Sequence, residues 1–459
     1  MAPLWQNWLG NQKARPQVLE SPGDVAEVVA CVERAAARGL PVRVVSGAYC
    51  WSPLVPCDGV ILSIAKLRRV RQVDRERRQI TIETGAPLLD LVLVAAEHGM
   101  SVHSPAMFMG LTVGGLIATG SHGACRNSAT FGDAVVAYEL VTADGQVISA
   151  SDVGSDRWRA ILTNLGALGV VTAVTLQCEP LYNVLEVHEQ VDYREAAQRI
   201  PHALDRHEFV SVFWSPAGGI ANFKLGNRSQ LPATPTRGRM SPAWQDKSIK
   251  FTGRLLSYVV DRVPALTEHM ATLISENIGT GSQVVSEPDF SHYQQIYPPV
   301  ISSEFSLPIE NASVAWAWVI ERLMQYWRSG IRPVNMVFHA RFGRPSQAWI
   351  ASSTGRHSCH LEVLCLDGNR HRELFATEFD EKLRGTFGGR PHWGKDIARP
   401  WLAAATHGSN MDAFLEVRRQ LDPKQRFLNP FLRDEVFGLG RRRVWPASGR
   451  KSAESVTTQ

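Results

Sequence analysis

Two stretches of small residues and one pair of polar residues on a strand are where this sequence could do chemistry. The β-branched run Val42-Arg43-Val44-Val45 ends in Ser46-Gly47-Ala48-Tyr49-Cys50-Trp51-Ser52. Small side chains there let successive N–H groups converge on an anion such as a phosphate. The loop fits neither G-x-G-x-x-G nor G-x-x-x-x-G-K-[ST], and taken alone it reads as an ordinary strand-to-turn junction. A second small-residue stretch runs from Gly110 to Gly123 and contains Gly114, Gly115, Ala118, Thr119, Ser121 and His122. It suits close backbone approach to something flat or charged, or tight helix packing followed by a turn. His122, taken singly, fits a hydrogen-bonded structural histidine. On the strand at 334–342, the period of two puts His339 and Arg341 on one face. That face is either a solvated charged side of a sheet or the lining for a polar ligand.

The elements that must position these residues alternate between helix and strand. Ser21-Pro22-Gly23-Asp24 predicts a helix N-terminus with Ser21 as the cap and Pro22 in the first turn. Val25, Val28, Val29, Val32 and Ala36 follow at helical spacing, and Gly39 and Pro41 stop the helix. Strands are expected at 42–45, 60–62 and 79–84, a helix at 88–95, and a hairpin at 134–150 around Ala143-Asp144-Gly145. Another strand is expected at 172–176. The first small-residue loop does not enter a helix, so this is an α+β arrangement and not a Rossmann unit. From about Tyr182 the texture changes to alternating strands such as 209–214, a Pro- and Arg-containing loop at 231–242, and helix-like runs at 254–274 and 315–326. Pro264 should interrupt the first of these runs. A second α+β domain follows.

The chain has 459 residues, 44% hydrophobic and 20% charged, which calls for two well-packed domains and excludes a disordered chain. The net charge of +5 does not mark a nucleic-acid binder. Most of it comes from 441–459, where Arg441, Arg442, Arg443, Arg450 and Lys451 face only Glu454; this tail is expected to be disordered. Seven scattered cysteines without a CxxC pair argue against a disulfide framework and against a metal site. The first residues lack a signal-peptide pattern, and no apolar run is long enough for a membrane span. The expected location is cytoplasmic, with no nucleic-acid partner and no integral membrane segment; oligomeric state is not legible.

Several motifs occur together in an order that resembles a known family. They are Trp8-Leu9-Gly10-Asn11-Gln12, the loop 46–52, Val113 to Gly123, Ala143-Asp144-Gly145, Gly169-Val170-Val171, His207-Glu208-Phe209 with Trp214 and Pro216, Gly388-Gly389-Arg390-Pro391-His392-Trp393-Gly394-Lys395, and Leu421-Asp422-Pro423 through Phe427-Leu428-Asn429. This series, covering about residues 5 to 437, resembles the aldonolactone oxidase group: gulonolactone, arabinonolactone and alditol oxidases of the vanillyl-alcohol oxidase type. The resemblance implies a two-domain PCMH-type fold. An FAD-binding domain at 1–180 would be completed by about 400–440, with a cap or substrate domain at 181–399. It implies that Ser46 to Ser52 hold the pyrophosphate and that Ser104 and the stretch from Gly114 to Gly123 pass along the flavin. Val170, Val171 and Asn429 would add further cofactor contacts.

The same resemblance makes Lys395, Arg341 and His339 the catalytic candidates. Together they would oxidise the CH–OH of a sugar, lactone, cyclitol or related alcohol, in the manner of a D-arabinono-1,4-lactone oxidase, with molecular oxygen or another acceptor taking the electrons. Three departures stand out. Tyr49 occupies the position of the histidine that bonds FAD in covalent members, which implies noncovalent FAD; Cys50 beside it reads as a small buried residue. His339-Ala340-Arg341 stands where polyol and lactone oxidases show Glu-x-Arg, so the substrate-facing carboxylate is expected to be missing. Met107 in Ser104-Pro105-Ala106-Met107 replaces a polar group near the flavin. Two other readings stay open here: a flavin-dependent tailoring oxidation of a C–N or C–C bond, and a catalytically weak flavin-binding protein.

Overall fold

A computed structural model of the chain describes residues 3–103, 105–216, 218–234, 280–286, 299–369 and 371–440. Ser104, most of the expected loop at 231–242, the helix-like run at 254–274 and the tail at 441–459 lie outside the described residues. The first parallel layer joins β1 (Val18–Glu20), helix α1 (Val25–Ala37), β2 (Val42–Val45) and β3 (Val60–Ser63), with β3 in the middle. Helix α1 buries Val28 and Val32 of the expected apolar stripe, with Val25 and Val29 partly buried, while Cys31 and Ala35 are buried beside them and Ala36 is only half-buried. Its cap differs from expectation: Asp24, not Ser21, caps the helix, its side chain accepting from the Glu27 amide at 2.8 Å. The helix therefore begins at Val25, after Pro22 and Gly23 have passed.

The second layer is antiparallel. It contains β4 (Val70–Asp74), β5 (Gln79–Glu83), β6 (Val135–Val141), β7 (Val147–Ala150) and β8 (Val170–Gln177) in the order β7-β6-β8-β5-β4. Helix α2 (Leu88–Glu97) and helix α3 (Val113–Thr119) lie between β5 and β6 in the chain. The core of this layer also takes in Trp393, Met411, Phe414, Leu428 and Phe431 from far along the chain. The closing segment is thus built into the same interior as residues 80–178.

An eight-stranded antiparallel sheet follows: β9 (Asn183–Asp192), β10 (Phe209–Trp214), β11 (Ile220–Ser229), β12 (Gly281–Ser286), β13 (Val300–Pro308), β14 (Val337–Gly343), β15 (Ser358–Leu366) and β16 (Arg390–Pro391). Their order is β12-β9-β11-β10-β14-β15-β13-β16. Alternation divides its two faces. Val212, Phe338, Ala340, Phe342, Leu361 and Val363 belong to one apolar core with residues of helix α5 (Ala196–Arg206), helix α6 (Ala312–Arg328) and helix α7 (Arg372–Gly385), numbered so that α4 is Asp156–Ile161. The opposite face is polar, and it carries the site.

Candidate active site

The loop after β2 is held open from behind. Arg43, buried in β2, donates to the carbonyls of Leu54 (2.7 Å), Gly166 (2.8 Å), Leu165 (2.6 Å) and Phe427. Burial lowers its pKa to about 10, which leaves the guanidinium charged at neutral pH. Asn429 closes the same junction: its amide donates to the carbonyls of Pro53 (2.9 Å) and Pro56 (2.9 Å), and its Oδ1 accepts from the Leu432 amide. Asn429 therefore braces the loop and is not among the residues that line the cavity in front of it, where a cofactor contact was expected.

In front of that brace lies a cavity of about 620 Å³. Ser46 to Ser52 form one wall, with Gly114, Gly115, Ala118, Thr119, Ser121, His122 and Val171 beside them. Gly123 and Val170 are not among its lining residues; Val170 sits in the core of the first layer. Ala48 has φ +57, a left-handed conformation, and the amides of Gly47 and Ala48 meet no acceptor among the described residues. Successive amides turned outward by a left-handed residue make a nest for an anion. Ser46 Oγ donates to Thr112 Oγ1 at 2.6 Å, tying this loop to the start of α3. At Gly114 a Cβ would stand 3.0 Å from both the Thr84 carbonyl oxygen and the Thr84 Cβ, so glycine lets the helix lie this close without displacing Thr84. The wall fits an FAD, with backbone donors for the phosphates and small residues along a flat ring. Tyr49 packs edge-on against Phe108 with centroids 4.9 Å apart. Burial raises the Cys50 thiol to about 11, so it stays protonated.

The opposite wall is the polar face of the eight-stranded sheet. Register aligns Phe213, His339, Glu362 and Glu304 in one row across β10, β14, β15 and β13. The next row on the same face aligns Ser211, Arg341, His360 and Ser306. His339, Arg341 and Lys395 all face the cavity. Lys395 reaches it from a turn whose backbone bonds to both walls. The Lys395 amide donates to the His392 carbonyl at 3.1 Å, the Asp396 amide to Ser302 at 2.8 Å, and the Trp51 amide to the Gly394 carbonyl at 2.9 Å. Lys395 Nζ lies 4.8 Å from the centroid of the Trp51 ring.

The carboxylate expected to be missing is present one strand away. Glu362 is directly opposite His339 in the ladder, and its side chain pairs with Lys395 Nζ, with Arg341 Nη2 at 3.0 Å and with the Ser302 hydroxyl at 2.5 Å. Glu304 accepts a second bond from Arg341 Nη2 at 2.7 Å. Burial works against ionisation of Glu362, but Lys395 and Arg341 outweigh it and hold its carboxyl well below the usual range. Burial likewise opposes ionisation of Glu304, and His122 and Arg341 overcome it.

Neither glutamate carries a local signal in the sequence, because a single Glu in an alternating strand looks like any solvated position. One cue was available. His360-Leu361-Glu362 repeats the polar–apolar–polar pattern of His339-Ala340-Arg341, as two facing strands of one polar surface should.

Proton bookkeeping fixes the histidines. His122 Nδ1 lies 3.0 Å from the Gly123 carbonyl and must donate to it, yet its Nε2 lies 2.6 Å from Glu304 Oε1. That second contact also needs a proton, so the His122–Glu304 pair holds one between two buried groups. His360 stacks on His122 with centroids 3.5 Å apart and donates from Nδ1 to Ser306 Oγ, whose hydroxyl in turn donates to Ser352 Oγ at 2.7 Å. Burial and the neighbouring His122 keep His360 neutral. His392 accepts the Gly394 amide at Nδ1 and is pushed down to about 3, chiefly by burial. Trp393 points away, donating to the Ile350 carbonyl at 2.6 Å.

His339 is buried against Phe213 with centroids 4.0 Å apart; its Nδ1 is 3.6 Å from Glu362 and its Nε2 has no hydrogen-bond partner among the described residues. Burial lowers its pKa to about 4. Donor atoms of His122, Glu304 and His392 lie within 4.8 Å of one another. Arg341 at 2.7 Å and Lys395 at 3.9 Å already neutralise that carboxylate, so the cluster calls for no metal.

Comparison with known proteins decides the family. An FAD-binding domain model matches residues 16–151, and a D-arabinono-1,4-lactone oxidase model matches residues 174–435. The chain belongs to the D-arabinono-1,4-lactone oxidase family. It is 28% identical over 440 residues to L-gulono-1,4-lactone dehydrogenase of Mycobacterium tuberculosis, covering 94% of this chain and 99% of the relative. It is 25% identical to the alditol oxidase of a Streptomyces species, covering 95% and 100%. Among solved structures, cholesterol oxidase from Brevibacterium sterolicum shares the fold, with a TM-score of 0.78 at 17% identity over 95% of this chain and 96% of that one. 6-Hydroxy-D-nicotine oxidase from Arthrobacter nicotinovorans does so at 0.67 and 18% identity, covering 93% of each. The family member described here is thus an FAD-dependent oxidoreductase of the vanillyl-alcohol oxidase type. None of its described helices is long and apolar enough to cross a membrane.

Proposed function

We propose that this protein oxidises the CH–OH group of a sugar, lactone, cyclitol or related alcohol, with FAD held noncovalently. The observation that carries the proposal is the convergence of Lys395, Arg341 and His339 on a cavity whose other wall is the amide-lined loop 46–52. FAD, when bound, supplies the hydride acceptor. Lys395 and Arg341 offer fixed positive charge to the substrate oxygen as it loses its proton. His339 is neutral at working pH, and its Nε2 takes the hydroxyl proton. Glu362, directly opposite His339 on the neighbouring strand, lies beside all three and supplies the carboxylate that the His339 strand does not carry.

Noncovalent attachment is supported by Tyr49, which offers no imidazole, and by the protonated thiol of Cys50. Acid precipitation of the yellow holoprotein should leave a colourless pellet and free FAD in the supernatant; a yellow pellet overturns this part. The reaction is tested by anaerobic mixing with sorbitol, xylitol, myo-inositol and L-gulono-1,4-lactone while flavin absorbance is followed. Bleaching by one or more of them is expected. Bleaching only by amines would replace alcohol oxidation with a tailoring oxidation.

A further inference from the structure

The polar face of the sheet does not stop at Arg341. The row Ser211, Arg341, His360 continues in the other direction through Lys224 on β11 and His188 on β9. The row Phe213, His339, Glu362 continues through Asn222 and Gln190. His188, Asn222 and Lys224 line the same cavity as His339, Arg341 and Lys395. With β10 between their strands, Lys224 and Arg341 are two strand spacings apart, roughly 10 Å. Phe213 puts an aromatic ring on the cavity wall between the two polar ends.

We propose that Lys224, His188 and Asn222 form a distal subsite that takes a neutral hydroxylated ring attached to the reacting alcohol, so that the substrate is of glycoside or pseudo-disaccharide size. This rests on the alcohol-oxidising reading above. The reach fits, because two joined sugar rings span about the distance between the two ends. Neutrality follows from the balance of charge. Lys224 Nζ pairs with Glu186 Oε1 at 3.1 Å, His188 Nε2 lies 3.3 Å from the same oxygen, and Gln283 donates to the other oxygen at 2.9 Å. Glu186 is fully buried, and its partners outweigh that burial to hold it at about 2. Among the described residues at this end the Lys224 ammonium is already matched by the Glu186 carboxylate, so a phosphate or carboxylate would have to compete with Glu186 for it. A ring of hydroxyls would find an ammonium donor, the amide of Asn222, whose Oδ1 already accepts from Gln190 at 3.2 Å, and the face of Phe213. A buried ion pair costs more than an apolar pair of the same size, which makes its place at the cavity wall hard to assign to packing alone.

The test is calorimetric titration of the FAD-loaded protein with sorbitol and with maltitol, the same alditol carrying a glucosyl ring. Maltitol is expected to bind about tenfold more tightly. The double variant Lys224→Met/Glu186→Gln, which removes both charges and leaves neither unpaired, should bring the ratio of the two dissociation constants close to one. Asn222→Ala keeps the ion pair and should narrow the ratio as well, so a folding failure of the double variant does not end the test. Equal binding of the two alditols by the wild type, including no binding of either, overturns the subsite. Tighter binding of sorbitol 6-phosphate than of maltitol overturns its neutral character. Flavin bleaching is read separately: a maltitol preference without bleaching by any alcohol supports the subsite and rejects the oxidation.

Discussion

The two walls of the cavity recognise in opposite ways. The wall at 46–52 and 112–122 offers mainly backbone: amides at Gly47 and Ala48 that meet no acceptor among the described residues, a left-handed Ala48, and a glycine at 114 that lets a helix approach. The facing wall works through side-chain charge, with Lys395, Arg341, Glu304 and Glu362 drawn from four separate segments and almost wholly withdrawn from water. Backbone recognition is written in consecutive residues and tolerates changes in side chain. Charge recognition depends on strand register for Arg341, Glu304 and Glu362, and a one-residue slip of any of their three strands would point its own group into the apolar core. Cofactor and substrate selectivity can therefore diverge at different speeds within one fold.

Removing a charge from the sheet-side wall should separate the two modes most sharply. Lys395→Met is expected to slow flavin reduction by substrate about 10²- to 10³-fold while FAD remains bound; rapid anaerobic mixing checks it, and normal reduction would return that role to the opposite wall. His339→Asn should cost roughly 10²-fold at neutral pH and alter the acid side of the profile. His339 is neutral above about 4, so the wild-type reduction rate should be level near neutrality and fall as pH drops through that value. Persistence of this limb in the variant would assign it to another group.

The next effect is on stability. Glu362→Gln leaves Lys395 and Arg341 short of a partner and should destabilise the holoprotein by about 3 kcal/mol, read by thermal unfolding at neutral pH. The sign with pH follows from the depressed carboxyl. Its contribution is complete above the unfolded carboxylate value of about 4.3 and fades as pH falls below it, so wild type and variant should converge in acid. Parallel curves would show that Glu362 is not ionised in the fold. The smallest effect belongs to the backbone wall. Asn429→Ala removes amide bonds to the loop at 53–56 and should cost about 1–2 kcal/mol with weaker FAD retention and an unchanged reduction rate in the loaded protein. A lower rate would move Asn429 into the chemistry.

What could be read from the chain follows the same division. The alternation at 209–214, the α1 stripe and the His339/Arg341 face are local patterns, and each appears in the structure where the periodicity puts it. The family motifs recovered the small-residue wall for the same reason. Ser21 was an adequate cap by type, and only backbone geometry favours Asp24, the residue immediately before Val25. Glu304 and Glu362 are not legible in the sequence because their importance is two-dimensional: it arises from which strand lies next to which. The His339 strand itself carries no carboxylate, whereas the sheet supplies one from the neighbouring strand.

Arg43 has a consequence for how the protein comes into being. Its guanidinium joins β2 to the Phe427 carbonyl, and the Val42 amide donates to the Arg426 carbonyl at 2.8 Å. The loop at 46–52 is thus finished by residues translated nearly four hundred positions later. On a ribosome, the growing chain would display the amide nest long before the segment that braces it emerges. Cofactor capture is then a late event in synthesis, and nascent chains stalled before Arg426 should not quench free flavin, whereas released full-length chains should.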